Sequence, residues 1–313
     1  MLHDRVLVSQ EGEGGERRSG GGIVIPATAS VGRRLAWAKV VAIGAHVRQV
    51  RLGDRVLFDP DDRAEVDAWA WGRQQVDLLR QVPTVARLDQ WLGVLRPLAT
   101  RQYSISSSPR VHGDTVHITM ATVRYRVADR DRGGVCSTHL ADRCAPGDTV
   151  PVFISPNKKF RLPADDVSAV MIGPGTGIAP FRGFLHERAA AGAPGGNWLF
   201  FGDQHRGHDY LYAEELDRFV TDGLLDRLDL AFSRDQEHKV YVQDRMREHS
   251  GELFAWLEAG AHLYVCGDAT TMADDVDAAL HEIVAEHGGL EPDQAVAYVD
   301  RLRAENRYSR DVY

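Results

Sequence analysis

Cysteine is scarce in this chain. Three in 313 residues, Cys136, Cys144 and Cys266, are too few and too scattered for a disulfide framework or a structural zinc site, which points to reduced thiols and a cytoplasmic setting. No apolar run approaches membrane length, and the opening MLHDRVLVSQ lacks the basic-then-apolar pattern of a secretory signal. Positive charge is not in excess either. With 37 Lys and Arg against 45 Asp and Glu the net charge is -8, which argues against nucleic acid or an anionic membrane as the main partner. No internal repeat is evident and no metal site is read. Yet 43% of the residues are hydrophobic, enough for two globular cores.

Over residues 1–66 the pattern is all β. LHDRVLV alternates, GGIVIP is a short apolar run bounded by glycine and proline, and AWAKVVAIG and GDRVLF are β-branched stretches edged by glycine. EGEGGERRSGG, between the first two, is too rich in glycine and charge to pack and reads as a loop. In this order the segments resemble the GroES co-chaperonin family, cut short of its last barrel strand. The resemblance implies that Ile23, Val24 and Ile25 form an apolar tripeptide that docks on a large chaperonin ring. The same three residues would also suit a core strand.

Beyond residue 67 the period changes. GRQQVDLLRQ and LDQWLGVLRPL space their apolar residues helically over 67–97, and RQYSISSSP and TVHITMATV return to strand within 98–164. From 165 to 313 short apolar strands alternate with helices, the mark of a parallel sheet covered on both faces.

Several stretches carry chemistry. In MIGPGTGIAPF a buried strand runs into Gly173, Pro174, Gly175 and Thr176 and then a helix, a turn whose N–H groups suit a pyrophosphate. FSRDQEHKVYVQ follows the edge strand, and Ser233, Arg234, Lys239 and Tyr241 offer donors and positive charge for a 2′-phosphate, which favours NADP over NAD. YVCGDATTM places Cys266 and Asp268 at the carboxyl end of a parallel strand, where such sheets bind ligands. Arg101 can pair with a pyrophosphate, Tyr103 can stack on a flat ring and Ser104 can bond a ring nitrogen, while GGVCS starts another helix suited to phosphate.

Together RQYS, GGVCS, GPGTGIAPFRGF, LFFGDQHRGHDYLYAEEL, SRDQEHKVYVQ, YVCGDATTMADDV and RYSRDVY resemble the ferredoxin–NADP reductase module of the diflavin reductases, in its sulfite-reductase flavoprotein branch, over residues 68–313. The resemblance implies that Arg101, Tyr103, Ser104, Gly134, Val135, Cys136 and Ser137 hold FAD. It assigns NADPH to Gly173 through Thr176, Ser233, Arg234, Lys239, Tyr241 and Gln243, with Asp268 nearby. Ser104, Cys266 and Asp311 would flank the hydride path, and Tyr313 would cover the flavin. His139 departs from the aromatic usual there. The expected fold is therefore multidomain: a truncated GroES-like all-β barrel, a partial antiparallel β FAD-binding barrel and an α/β parallel-sheet NADP-binding domain. Its expected activity is electron transfer from NADPH through FAD to a separate flavodoxin-like or haem acceptor, since an FMN domain is not recognised. The rival readings are a chaperonin-binding protein and a chimera without activity.

Overall fold

The computed structural model describes residues 6–10, 36–43, 51, 53–58, 71–74, 76, 77, 80, 92 and 97–313 apart from 128. The tripeptide 23–25 and most of 67–97 lie outside the described residues. Contacts group the chain into two compact units, residues 1–100 with 124–132 and residues 101–123 with 133–313.

In the first unit β1 (Val6–Gln10), β2 (Ala36–Ile43) and β3 (Arg55–Phe58) form an antiparallel sheet in that order. These match three of the strands expected from the sequence. Along β2, Ala38 and Val40 are buried and Lys39 is exposed, the period of two that gives a sheet one inner face. The chain enters β3 through Gly53 at φ 91°, whose N–H donates to the Val40 carbonyl at 2.8 Å. A left-handed turn of this kind favours glycine. The unit also holds the hairpin of β4 (Arg124–Val127) and β5 (Arg130–Gly133). Asp77 anchors it, accepting from Arg130 Nη1 at 3.0 Å, Arg132 Nη2 at 2.5 Å and the Gln74 N–H at 2.9 Å. The Gln74 bond and the two guanidiniums hold the Asp77 carboxyl below the usual carboxylate range.

The second unit is built on five parallel strands in the order β10 (Tyr308–Val312), β9 (His262–Gly267), β6 (Ala169–Ile172), β7 (Asn197–Asp203) and β8 (Arg227–Phe232). All four residues of β6 are buried, as expected of a strand covered on both faces. One face packs Trp198, Phe200, Leu263 and Val265 against α6 (Val242–Glu248), α7 (Ser250–Glu258), α8 (Met272–Gly288) and α9 (Pro292–Ala304). The other packs Met171, Leu199, Phe201 and Tyr264 against α3 (Ile178–Ala191) and α5 (Ala213–Thr221). The α/β domain is thus as the sequence reading had it.

The flavin-side segment differs from expectation. Where two strands are read in RQYSIS and TVHITMAT, the described residues show two extended arms joined by the single antiparallel bridge Ile105–Ile118, with α1 (Pro109–His112) between them. A ladder needs a run of consecutive backbone pairs with a neighbouring strand, and one bridge does not supply it. Ile105, Val116 and Ile118 instead remain 38, 52 and 42% exposed.

Candidate functional site

The glycine turn sits at the carboxyl end of β6. Gly173 donates to the Phe200 carbonyl at 3.0 Å, Gly175 takes φ 57°, and a 3-10 turn over Gly175–Gly177 leads into α3. A Cβ on Gly173 would lie 2.6 Å from the Gly177 oxygen, and one on Gly177 2.1 Å from the Cys266 oxygen. The turn is therefore pressed onto β9. Among the described residues the space above Gly175 is open, with only Asp203 Oδ2 within reach at 3.7 Å. No side chain caps α3; the 3-10 turn runs directly into it, and the Ile178 N–H, the first of the helix, donates to the Gly175 and Thr176 carbonyls. Asp203 was not singled out from the sequence, although its place at the end of LFFGD is a signal of the kind used for Cys266. Burial raises its carboxyl above the ordinary range.

The loop after β8 is tied to the end of β7: Ser233 and Arg234 donate their N–H groups to the Asp203 and Gln204 carbonyls, both at 2.9 Å. Asp235 accepts from the Arg206 N–H at 2.8 Å and lies 2.9 Å from His205 Nδ1. Arg234, Lys239 and Tyr241 are exposed along this loop. Gln243 is buried and donates to Asp275 Oδ2 at 3.2 Å, so it belongs to the packing of α6 on α8. Asp268 accepts from the N–H groups of Thr271 at 2.9 Å and Met272 at 3.4 Å, which caps α8. These bonds bring its carboxyl down to about 2.

The last strand gathers residues that are far apart in the chain. Because β10 runs parallel to β9, Asp311 pairs in register with Cys266. Ser104 Oγ donates to Asp311 Oδ2 at 3.0 Å, and Asn157 Nδ2 to Oδ1 at 3.4 Å. Burial, reinforced by Asp311 and opposed by a hydrogen bond from Ser104, pushes the Cys266 thiol up to about 12. It is a neutral S–H at any working pH. Tyr313 donates its N–H to the Gly267 carbonyl at 3.1 Å, accepts from the Ala269 N–H at 3.1 Å and shares a 2.9 Å hydrogen bond with the Thr176 hydroxyl. The residue as a whole is 63% exposed beside the glycine turn.

A second group meets at α2 (Val135–Asp142), whose N-cap is Gly134 with no side-chain cap. Tyr103 is hydrogen-bonded to Cys136; burial and this neighbour raise its hydroxyl. Ser137 is buried, and its Oγ accepts from the Val123 N–H at 3.1 Å, so its hydroxyl ties backbone together. Val135 and Arg101 are exposed, as is His139 on the same helix. The structure thus brings Ser104, Cys266, Asp311, Tyr313 and Thr176 together, and joins Tyr103 to Cys136.

Comparison with known proteins finds the oxidoreductase NAD-binding domain family over residues 171–278, the FAD binding domain family over 55–139 and the chaperonin 10 kDa subunit family over 1–78. The last two overlap at 55–78, across the change of period near residue 67. The sulfite reductase (NADPH) flavoprotein alpha-components of Serratia proteamaculans and Cronobacter sakazakii are each 51% identical over 253 residues, 80% of this chain and 42% of theirs. That of Photorhabdus laumondii is 49% identical over the same length. The chain thus spans less than half the length of these relatives. Residues 1–66 resemble a GroES co-chaperonin, and residues 68–313 resemble the FAD- and NADPH-binding reductase module of the sulfite reductase flavoprotein subunit.

Proposed function

We propose that this chain is an NADPH-dependent FAD oxidoreductase that passes electrons to a separate flavodoxin-like or haem acceptor. The observation that carries this reading is the meeting of Ser104, Cys266, Asp311 and Tyr313 with the glycine turn at the carboxyl edge of one parallel sheet, where such sheets bind their ligands. The residues present fit both cofactors. The open space over Gly175 in the glycine turn suits the NADPH pyrophosphate, and the start of α2, with no side-chain cap, suits that of FAD.

In this reading Gly173, Pro174, Gly175 and Thr176 hold the NADPH pyrophosphate, and Ser233, Arg234, Lys239 and Tyr241 its 2′-phosphate. Arg101, Tyr103 and the Gly134–Ser137 turn hold FAD. When bound, FAD would supply the redox chemistry, the acceptance of hydride from nicotinamide. Ser104, hydrogen-bonded to Asp311, would offer its hydroxyl to the bound ring, and Cys266 would give the site an uncharged wall. Tyr313, exposed and held mainly through its backbone, shields the site until nicotinamide replaces it. Among the described residues no helix is long and apolar enough to cross a membrane, and a cytoplasmic setting accords with three free thiols.

Replacement of Arg234 tests the nucleotide assignment. A charge-assisted bond to the 2′-phosphate gives Arg234→Ala a roughly 10- to 100-fold weaker hold on NADPH with NADH nearly unaffected. Titration with both nucleotides reads it, and equal losses for the two would overturn the assignment.

The match to the chaperonin 10 kDa subunit over residues 1–78 favours a second reading, in which Ile23, Val24 and Ile25 bind a large chaperonin ring. Val24→Asp would place an unpaired charge in an apolar groove and abolish that binding in a pull-down with nucleotide-loaded ring. A wild-type chain that fails to bind at high concentration retires the idea.

A further inference from the structure

One face of α3 carries the backbone of residues 105–107. A Cβ on Gly183 would lie 3.1 Å from the Ser107 oxygen, so the segment rests directly on the helix. Beside it Arg182, with a side chain only 11% exposed, donates from Nη1 to the Ser106 carbonyl at 2.7 Å and from Nε to Glu215 Oε2 at 3.0 Å. Its guanidinium covers the Tyr212 ring at 4.8 Å. Tyr212 takes φ 60°, a conformation costly for a non-glycine residue, and its hydroxyl bonds Thr119 Oγ1 at 2.7 Å. Arg182 is thereby fixed on three sides, and the carbonyl it holds lies two residues from Ser104.

We propose that Arg182 is a positioning residue, which sets Ser104 against Asp311 and Cys266 by clamping the Ser106 carbonyl. This rests on the oxidoreductase reading above. Misplacing a reacting group by about 1 Å can cost roughly 100-fold in rate, so a clamp this close to Ser104 acts on the chemical step.

The clamp also depends on pH. Arg182 Nη1 lies 3.2 Å from His117 Nδ1, which can accept only while unprotonated. His117 is faced by His112 of α1 with ring centroids 4.4 Å apart, by Arg182 of α3 and by Glu215 of α5. Around them His186 pairs with Glu215, and Glu187 accepts from Ser108 and Arg110. Burial first, then His112 and Arg182, lower the His117 titration point against the opposing pull of Glu215. A depressed histidine protonates sooner in the released state than in the clamped one. The clamp is complete above about pH 6.5 and weakens as pH falls below it.

The test uses the full chain with FAD added. At pH 7.5, stopped-flow reduction of flavin by NADPH should be roughly 10- to 100-fold slower in Arg182→Gln, with NADPH affinity unchanged. The wild-type rate should fall between pH 7.5 and 5.5, and His117→Asn, whose amide oxygen accepts at every pH, should not show the fall. In cofactor-free protein the His117 ring resonance should titrate closer to 6.5 in Arg182→Gln than in wild type. An unaltered flavin-reduction rate in a folded Arg182→Gln, or the same His117 titration point in both proteins, would overturn the inference. Should Arg182→Gln fail to fold, persistence of the acid fall in His117→Asn overturns it instead. A wild-type chain loaded with FAD that NADPH cannot reduce would overturn the oxidoreductase reading itself.

Discussion

Purified protein should bind NADPH yet hold well under one FAD per chain after gel filtration, and its activity towards an artificial acceptor should rise when FAD is added. The two cofactors differ because their supports differ. The NADPH side rests on five paired strands with covered faces, where all four residues of β6 and six of the seven of β7 are buried. Its turn and loop are anchored by backbone bonds at Gly173, Ser233 and Arg234. On the flavin side the described residues 101–123 have one bridge and 124–133 a two-stranded hairpin, and Val152, Phe153 and Ile154 stand 84, 64 and 68% exposed. A ligand of this size is normally enclosed over about 70–90% of its surface, and open arms do not enclose it. The uncapped start of α2 can still take the pyrophosphate, which gives weak, exchangeable binding. Absorbance of the flavin against protein concentration reads the ratio. One equivalent that survives gel filtration would show that the arms and α2 suffice.

Gly177→Ala should be the most damaging small substitution in the nucleotide-binding domain. Its Cβ would lie 2.1 Å from the Cys266 oxygen and 2.8 Å from the Cys266 carbonyl carbon, both in the backbone of β9. A flexible side chain could swing away; a paired inner strand cannot. Overpacking costs 1–3 kcal/mol where neighbours can adjust, and here it should reach about 3 kcal/mol or more. For a domain of this size that lowers the melting temperature by roughly 6–12 °C. NADPH binding should be lost as well, because relieving the clash moves the glycine turn off β9. Gly192→Ala is the control: φ is 65° there but none of the described residues lies within 4 Å, so only the left-handed backbone is penalised, at about 1 kcal/mol. Thermal unfolding followed by circular dichroism separates them. Equal melting temperatures for the two variants would show that the turn yields without cost.

The parallel sheet and its glycine turn were legible in the sequence because both are local. A strand buried on both faces is an unbroken apolar run such as AVMI, and a turn that must approach another backbone needs glycine wherever a Cβ has no room, as at Gly173 and Gly177. The strand pattern of the first unit was readable for the same reason in Trp37 to Val41, where Ala38 and Val40 turn inward and Lys39 outward. RQYSIS and TVHITMAT read as strands short of neighbours, and the structure joins them by the single bridge Ile105–Ile118. Their alternation is genuine, but a strand is completed by its neighbours, and those are not in its own residues.

The order of the motifs and the residue types at the carboxyl ends of the strands were determined by the sequence alone, and with them the case for a dinucleotide and a flavin. Their convergence was decided by tertiary structure. Ser104 and Asp311 are 207 positions apart and meet only because β10 returns parallel to β9 while the backbone of residues 105–107 is held on α3. Arg182 and Asp203 look ordinary in their own stretches, one an arginine in a helix and the other an acid ending a strand. Periodicity reports which way a residue faces within its own element, whereas the partner it faces is set by packing between elements distant in the chain.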